Sequence, residues 1–562
     1  MASASTVTLD AHAKIGSDGP TTFHTRTTYM RGADLLVKTL AAAGVTRIFS
    51  LSGNQIMPVY DACFDVGIEI THTRHEAAAV FMAEAYAQLT GTVGVAMVTA
   101  GAGAANALGP LFTASESETP VLLLTGDSPL GQDGRGAFQE LDQVPMTTPV
   151  TKLSFRPTRA TDFGTDTARA LRIALSGRSG PVHMALPFDL VDADATGGEI
   201  PSALGKEPMP LSDADLQNIT QAIAKAKRPL ILCGPSMNDT RNRGKLAALQ
   251  DALGAPAIAM ESPRGLKDPA LGNVGKALAQ ADLIVTLGKR IDFTLGFGGT
   301  NVVAAACDWI VVQPCATERD RAHRNLGTRL QACFAADPRD SIDALVSAGQ
   351  GGHDAWRKEV ATHIAARSFS EGDTVPSGKI TPAQLCAAVQ RQIDKAEHSV
   401  MICDGGEFGQ WAQAATNADL RVTNGISGAI GGGLCYGIGA KAAHPDATVF
   451  ALMGDGTVGF HFAEFETAAR VGLPYVVVIG NDERWNAEHQ IQLRDYGPDR
   501  LIGCELSGAR YDEAAKGLGA HGEYVTDLAD LDAALDRAVQ SGKPACVNVQ
   551  IEGLPAPSGA AH

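Results

Sequence analysis

Gly454-Asp455-Gly456 ends an apolar run, ATVFALMG over 447–454, and Asp482 follows 27 residues after Asp455, just past a second run, PYVVVIG over 474–480. A glycine turn at the C-terminal end of a strand exposes backbone N–H groups and a helix N-terminus, which together suit a diphosphate. A carboxylate in that turn, with a second oxygen donor from the neighbouring strand end, suits a hard divalent cation such as Mg2+ held against the same diphosphate. A lone Gly-Asp-Gly is more often an ordinary turn, and it is the spacing to Asp482 and the surrounding plan that favour a site. A second glycine turn, GAGAAN over 101–106, also follows a strand and opens a helix, but it lacks the third glycine of the dinucleotide fingerprint. His75-Glu76 begins like a zinc-binding HExxH helix, yet Ala79 stands where the second histidine is needed, so a zinc reading fails.

Turns of this kind need strands and helices in alternation. Short apolar runs recur at 94–100 (GVAMVTA), 120–126 (PVLLLTG), 228–234 (RPLILCG) and 281–288 (ADLIVTLG), separated by amphipathic stretches. Continuous apolar strands between helices predict parallel sheets covered on both faces. Residues 94–127 and 447–482 repeat one pattern: strand, glycine turn, helix, proline, strand. Pro120 to Gly126 and Pro474 to Gly480 have the same spacing. Two related α/β domains flanking a different third one are therefore expected. Gly-, Pro- and acid-rich stretches near 191–211 and 368–378 read as linkers. The predicted fold class is α/β, with three doubly wound parallel-sheet domains at 28–190, 208–350 and 378–550 and a tail at 551–562.

The chain has 562 residues, with 46 Lys+Arg against 62 Asp+Glu and a net charge of −16. That balance, without a long basic run, argues against nucleic acid or an anionic membrane surface as partner. The 61 glycines are spread along the chain, which excludes a collagen-like or low-complexity reading. No apolar stretch reaches 18 residues, so no membrane span is expected, and MASASTVTLDAHAKIGSDGP lacks the basic and apolar regions of a secretory signal. None of the ten cysteines forms a CxxC pair, which fits buried thiols in a reducing, cytoplasmic setting.

With these motifs in place, the chain resembles the thiamine diphosphate (ThDP)-dependent enzymes of the acetolactate synthase, pyruvate oxidase, benzaldehyde lyase and oxalyl-CoA decarboxylase group over essentially 28–550. The resemblance implies a pyrimidine-binding first domain, a Rossmann-like middle domain and a diphosphate-binding third domain. It implies Asp455 and Asp482 as Mg2+ ligands, with the carbonyl of Arg484 as a third; many members carry Asn in place of Asp482. THTRHEAAAVFMAEAYAQLTG at 71–91 is similar to the family's pyrimidine-domain helix, and Glu76 matches its catalytic glutamate. That chemistry needs a carboxyl hydrogen-bonded to the aminopyrimidine, favouring the imino tautomer that removes the thiazolium C2 proton. By the same likeness Gly428 offers a carbonyl to the aminopyrimidine, and Ile430 is the apolar wedge that bends the cofactor. Gly405, Gly406, Gly456 and Thr457 line the diphosphate, with Gly53 and Gly454 completing the cofactor set. In the family this glutamate reaches a cofactor held by another subunit, which implies a homodimer or homotetramer.

Substrate choice has to come from other positions. Phe138-Gln139-Glu140 matches the FQE of acetolactate synthases and implies Gln139 near the thiazolium. LSGNQIM at 51–57 puts Gln55 where benzaldehyde lyase-like enzymes carry His. The loop WNAEHQIQLRDYGPDR at 485–500 offers Glu488 and His489 for proton transfer, and with the tail it looks most like bacterial 2-hydroxyacyl-CoA lyases. The implied reaction cleaves a 2-hydroxyacyl-CoA to formyl-CoA and a ketone or aldehyde, with Glu488 taking the 2-hydroxyl proton and His562 in the tail near the substrate. In the middle domain IVVQP places Gln313 where flavin- or ADP-binding relatives carry an acidic residue, so flavin is not expected. Arg264 and Arg290 stand at strand ends where an ADP or CoA diphosphate could lie, and either could equally be an interdomain salt-bridge partner. Two alternatives stay open: a CoA-independent carboligase or lyase acting on 2-ketoacids or aromatic 2-hydroxyketones, resembling acetolactate synthase or benzaldehyde lyase, and a non-catalytic ThDP-fold binding protein. Intact Glu76, Asp455 and Asp482 argue against the second.

Overall fold

The apolar runs become three all-parallel sheets in a computed structural model that describes residues 29–366 and 368–557. The first holds β1 (Arg47–Ser50), β2 (Glu69–His72), β3 (Gly94–Val98), β4 (Val121–Asp127), β5 (Leu153–Phe155) and β6 (Val182–Pro187), in the order β2-β1-β3-β4-β6-β5. The second holds β7 (Pro229–Cys233), β8 (Ala257–Ala259), β9 (Leu283–Leu287), β10 (Asp308–Val312) and β11 (Leu330–Phe334), in the order β11-β10-β9-β7-β8. The third holds β12 (Ser399–Cys403), β13 (Leu420–Thr423), β14 (Thr448–Gly454), β15 (Val476–Asn481), β16 (His521–Val525) and β17 (Ala545–Gln550), in the order β13-β12-β14-β15-β17-β16. Strand for strand, the first and third orders are the same, so the repeat seen at 94–127 and 447–482 extends to whole-sheet topology.

The central pairs β3–β4 and β14–β15 are apolar because helices cover both of their faces; every residue of β3, β4 and β15 is buried. In such sheets the ligand crevice opens beyond the strand ends where the winding direction reverses. In the third sheet that point lies between β12 and β14. The residues following them are Asp404-Gly405-Gly406 and Asp455.

The helix Glu76–Thr90 of the first unit packs along the helix Gly433–Ala443 of the third. The approach is close: a side chain at Gly439 would stand 2.4 Å from the Met82 carbonyl. Inside this contact Glu84 is fully buried, accepting from Ser117 Oγ (2.6 Å), Tyr436 OH (2.9 Å) and Gln88 Nε2 (3.2 Å). Burial pushes its carboxyl up to about 7. A group raised in the folded state is proton-bound there while the unfolded chain, near 4.5, has released it. Stability is therefore lost as pH rises from about 4.5 through 7, by on the order of 3 kcal/mol. Urea unfolding at pH 5 and pH 8 should show that loss, and Glu84→Gln should flatten it. An unchanged pH slope in the variant would rule out Glu84 as its source.

Among the described residues, no helix is long and apolar enough to cross a membrane.

Candidate active site

A cleft opens at the reversal point of the third sheet. Gly406, Gly428, Ile430, Gly454, Gly456 and Thr457 line it, together with Asp455 and Asp482. The glycines answer to space and backbone. Gly406 and Gly428 take φ of +81° and +69°, and a side chain at Gly405 would stand 2.5 Å from Ile430 Cγ2. At Gly456 a side chain would strike the Trp485 ring at 2.7 Å, whereas nothing lies within 4 Å of one at Gly454.

Asp404, which the sequence reading overlooked, organises this end of the sheet. Its fully buried carboxylate accepts from the Gly405 N–H at 2.7 Å and from the Gly431 N–H at 3.0 Å. Asn424 Nδ2 donates to the Ala429 carbonyl at 2.9 Å. The loop carrying Ile430 is thereby pinned to the glycine turn after β12. An Asp between a strand and Gly-Gly was the available signal.

Asp455 starts a one-turn helix at the end of β14 and is 1% exposed, while Asp482 follows β15 and is 8% exposed. Burial holds Asp455 above the usual carboxylate range; burial and then the Asp455 charge do the same for Asp482, against the Arg484 guanidinium beside it. The Asp455 Oδ2 is buried without a hydrogen-bond partner. Two desolvated carboxylates with an orphaned oxygen fit a hard divalent cation, which would supply the missing charge and the missing partner. Among the described residues no group of three His, Cys, Asp or Glu side chains could hold a metal, so further donors must be carbonyls or ligand oxygens.

Glu488, in the first turn of the helix Asn486–Tyr496, is exposed on the lining of the same cleft, and the half-buried Arg484 lines it too. His489 is not on that lining. One residue further round a helix turns a side chain by about 100°, and the His489 ring is buried with Nδ1 unpartnered. Arg264 does line the cleft, its Nη2 3.2 Å from Glu407 Oε2. Glu407 Oε1 in turn accepts the Ala556 N–H at 2.5 Å, and Asn486 Nδ2 donates to the Leu554 carbonyl at 3.2 Å. The chain end up to residue 557 is thus tied to the rim, while His562 lies outside the described residues.

In the middle unit the packing selects between the two readings of Arg290. Arg290 is 8% exposed and pairs with Glu116 of the first unit at 2.5 and 3.1 Å, and with Asp292 at 3.3 Å, so its donors are committed to an interdomain bridge. Gln313 is buried, donating to the Gly288 carbonyl at 3.2 Å and accepting from the Cys315 N–H at 3.3 Å.

Glu76, Gln55 and Gln139 do not line this cleft. They gather instead at the first sheet, in the segments that follow β1, β2 and β4. Glu76 opens its helix after an N-cap by His75, is half-buried, and its Oε2 accepts from Asn106 Nδ2 at 3.0 Å. Thr99 Oγ1 donates to Gln55 Oε1 at 2.6 Å, and Gln55 Nε2 donates to Gln139 Oε1 at 3.0 Å. Gln139 holds a left-handed φ of +58°, the kind of strained backbone that collects at functional sites. Gly53 belongs to this cluster and not to the cleft: a side chain there would meet Thr99 Oγ1 at 2.3 Å. The chain therefore carries two half-sites, one of amides and a carboxyl on the first sheet, one of glycines and paired carboxylates on the third.

Comparison with known proteins gives both halves a common context. Three family models match: the thiamine pyrophosphate enzyme N-terminal TPP-binding domain over 30–146, the central domain over 216–345 and the C-terminal TPP-binding domain over 404–549. The chain is similar to a probable acetolactate synthase of Mycobacterium bovis, 31% identical over 535 residues covering 92% of this chain and 95% of the relative. It is similar as well to 2-hydroxyacyl-CoA lyase 2 of Bos taurus, 30% identical over 582 residues (92% and 90%), and of Homo sapiens, 31% identical over 548 residues (87% and 84%). With that coverage, and with both half-sites on matched domains, the chain belongs to the thiamine pyrophosphate enzyme family, and thiamine diphosphate is its cofactor.

Proposed function

We propose that the protein is a ThDP- and Mg2+-dependent carbon–carbon lyase that cleaves a 2-hydroxyacyl-CoA to formyl-CoA and a ketone or aldehyde, reversibly. The observation that carries this reading is Glu488, an exposed carboxylate on the same cleft lining as Asp455, Asp482 and Arg264. When bound, the cofactor supplies a carbanion centre that adds to a carbonyl and accepts the electron pair of the breaking bond.

The chain's own residues do the rest. Asp455, Asp482 and the Arg484 carbonyl would hold Mg2+ and, through it, the diphosphate. Gly405, Gly406, Gly456 and Thr457 admit the diphosphate, Ile430 fills the space against Gly405, and Gly428 offers its carbonyl to the pyrimidine. Glu76 would hold a proton on the aminopyrimidine of a cofactor seated in a second copy of the chain, which makes the working form a homodimer or homotetramer. Gln139, its amide set by Gln55 and Thr99, would face the reacting carbonyl. Glu488 would accept the 2-hydroxyl proton as C1–C2 breaks; the ketone or aldehyde leaves, and a proton delivered to C1 completes formyl-CoA. Arg264, free to exchange Glu407 for a phosphate, is the group for the CoA diphosphate. All ten cysteines are unpaired, which fits a cytoplasmic setting.

The test is direct. ThDP, Mg2+ and 2-hydroxyisobutyryl-CoA should yield formyl-CoA and acetone. A second reading, a CoA-independent carboligase or acetolactate synthase-like enzyme, is favoured by the Gln55–Gln139 pair; turnover of pyruvate or benzoin with no formyl-CoA would establish it. Glu488→Ala should lower kcat about 100-fold with ThDP affinity unchanged, as for a lost general base. A lost affinity would assign Glu488 a structural role.

A further inference from the structure

The turn that delivers Glu76 is held by the opposite half-site's domain. Residues 73–75 join β2 to the Glu76–Thr90 helix, and side chains from the stretch 459–471 are laid against them and against His72, the last residue of the strand. Glu464 is 1% exposed; its Oε1 accepts the Arg74 backbone N–H at 2.9 Å and its Oε2 the Thr467 hydroxyl at 2.6 Å. Arg470 Nη2 donates to the His72 carbonyl at 2.6 Å. The His461 ring sits 5.6 Å from the rings of both His75 and Phe81. A buried carboxylate is costly unless hydrogen bonds compensate its lost water, and here the compensating donors come from both sides of the domain boundary.

This bond is not the helix cap, because His75 Nδ1 already accepts the Ala77 N–H at 3.0 Å. It acts upstream, on the peptide that sets the angle at which the chain enters the helix. Glu76 is the first residue of that helix, so a change in the entry angle moves its carboxyl directly. Glu464 also stands nine residues after Asp455 in the chain, which ties the metal turn of one half-site to the glutamate of the other.

We propose that Glu464 is a positioning residue for Glu76, holding the 73–75 turn through the Arg74 N–H so that the Glu76 carboxyl keeps its working orientation. The proposal rests on the assigned role of Glu76. Its test therefore runs beside Glu76→Gln: an active Glu76→Gln enzyme removes that assignment, whereas the outcomes below judge Glu464 once Glu76→Gln is inactive.

Glu464→Ala should raise amide deuterium uptake in a peptide spanning 72–82 at least about tenfold in the cofactor-free protein. In the holoenzyme it should lower kcat about 100-fold, the scale of a misplaced catalytic group, with KM and ThDP affinity held within about threefold. Glu464→Gln keeps an acceptor for Arg74 and should restore most of both. Where Glu464→Ala does not fold, Thr467→Val, which frees only the second oxygen, should show the same uptake change at smaller size. Unchanged protection of 72–82, a loss of ThDP affinity in place of kcat, or a Glu464→Gln enzyme as poor as Glu464→Ala would each overturn the proposal.

Discussion

Glu76→Gln loses turnover by a factor of about 10³–10⁴ while binding ThDP within about threefold of the wild type, the range expected when an acid–base group is removed from the reacting centre. The substitution keeps the shape of the side chain and a carbonyl oxygen for the Asn106 amide, which donates to Glu76 at 3.0 Å. It removes only the ability to hold and release a proton. Cofactor affinity is spared because the cleft on the third sheet is lined without Glu76. Steady-state kinetics and the rate of deuterium exchange at the cofactor's C2 position are the measurements. Near-wild-type values for both would refute the role, and a folded variant with unchanged urea unfolding would exclude misfolding as the cause of a loss. Mixed oligomers add a sharper version: Glu76→Gln chains combined with Asp455→Ala chains should regain a fraction of activity, because a pair of unlike chains can assemble one complete site.

Asp455→Ala is the second large effect, and it has opposite signs on function and on stability. Affinity for ThDP with Mg2+ should fall at least about 100-fold, on the order of 3 kcal/mol, as expected when one member of a buried charged set is removed. Fluorescence titration is suited to this, since Trp485 lines the cleft. The metal-free protein should move the other way. Both carboxyls are raised above the 3.8 of an ordinary Asp, so the folded chain holds protons that the unfolded chain releases. Stability is lost as pH rises from about 4 toward neutrality, and removing Asp455 removes part of that loss. Without metal at pH 8, Asp455→Ala should melt above the wild type; with Mg2+ and ThDP it should melt below it. A variant that melts lower in both conditions would mean that Asp455 is a structural group.

Much of the third-sheet site was legible from residue types and spacing. Gly454-Asp455-Gly456 and Asp482 sit on consecutive apolar strands, and parallel neighbours carry such turns to one edge with no further information required. Ile430 and Gly428 were legible only through the family likeness, since an SGAIGGG loop has no intrinsic chemistry. Asp404 escaped notice because its work is to accept N–H groups from Gly405 and Gly431, and the second of these is 27 residues away. Arg290 stayed between two readings for a related reason. An Arg at a strand end can meet a phosphate or a carboxylate, and only the packing of the middle unit on Glu116 selects the carboxylate. His489 stands one residue beyond Glu488, and helical rotation alone separates the exposure of one from the burial of the other.

Sequence by itself determined the elements and their chemistry: three parallel α/β units, a repeated first and third, a carboxylate pair at a glycine turn, a glutamate at a helix start. These are local properties, set by hydrophobic period, glycine placement and side-chain type within one strand–turn–helix unit. Tertiary structure alone decided which of these meet. It buried Glu84 between two helices and set Glu464 against the turn before Glu76. Those contacts join residues hundreds of positions apart, and they depend on the shapes that packed side chains leave between sheets, which no pattern along the chain encodes.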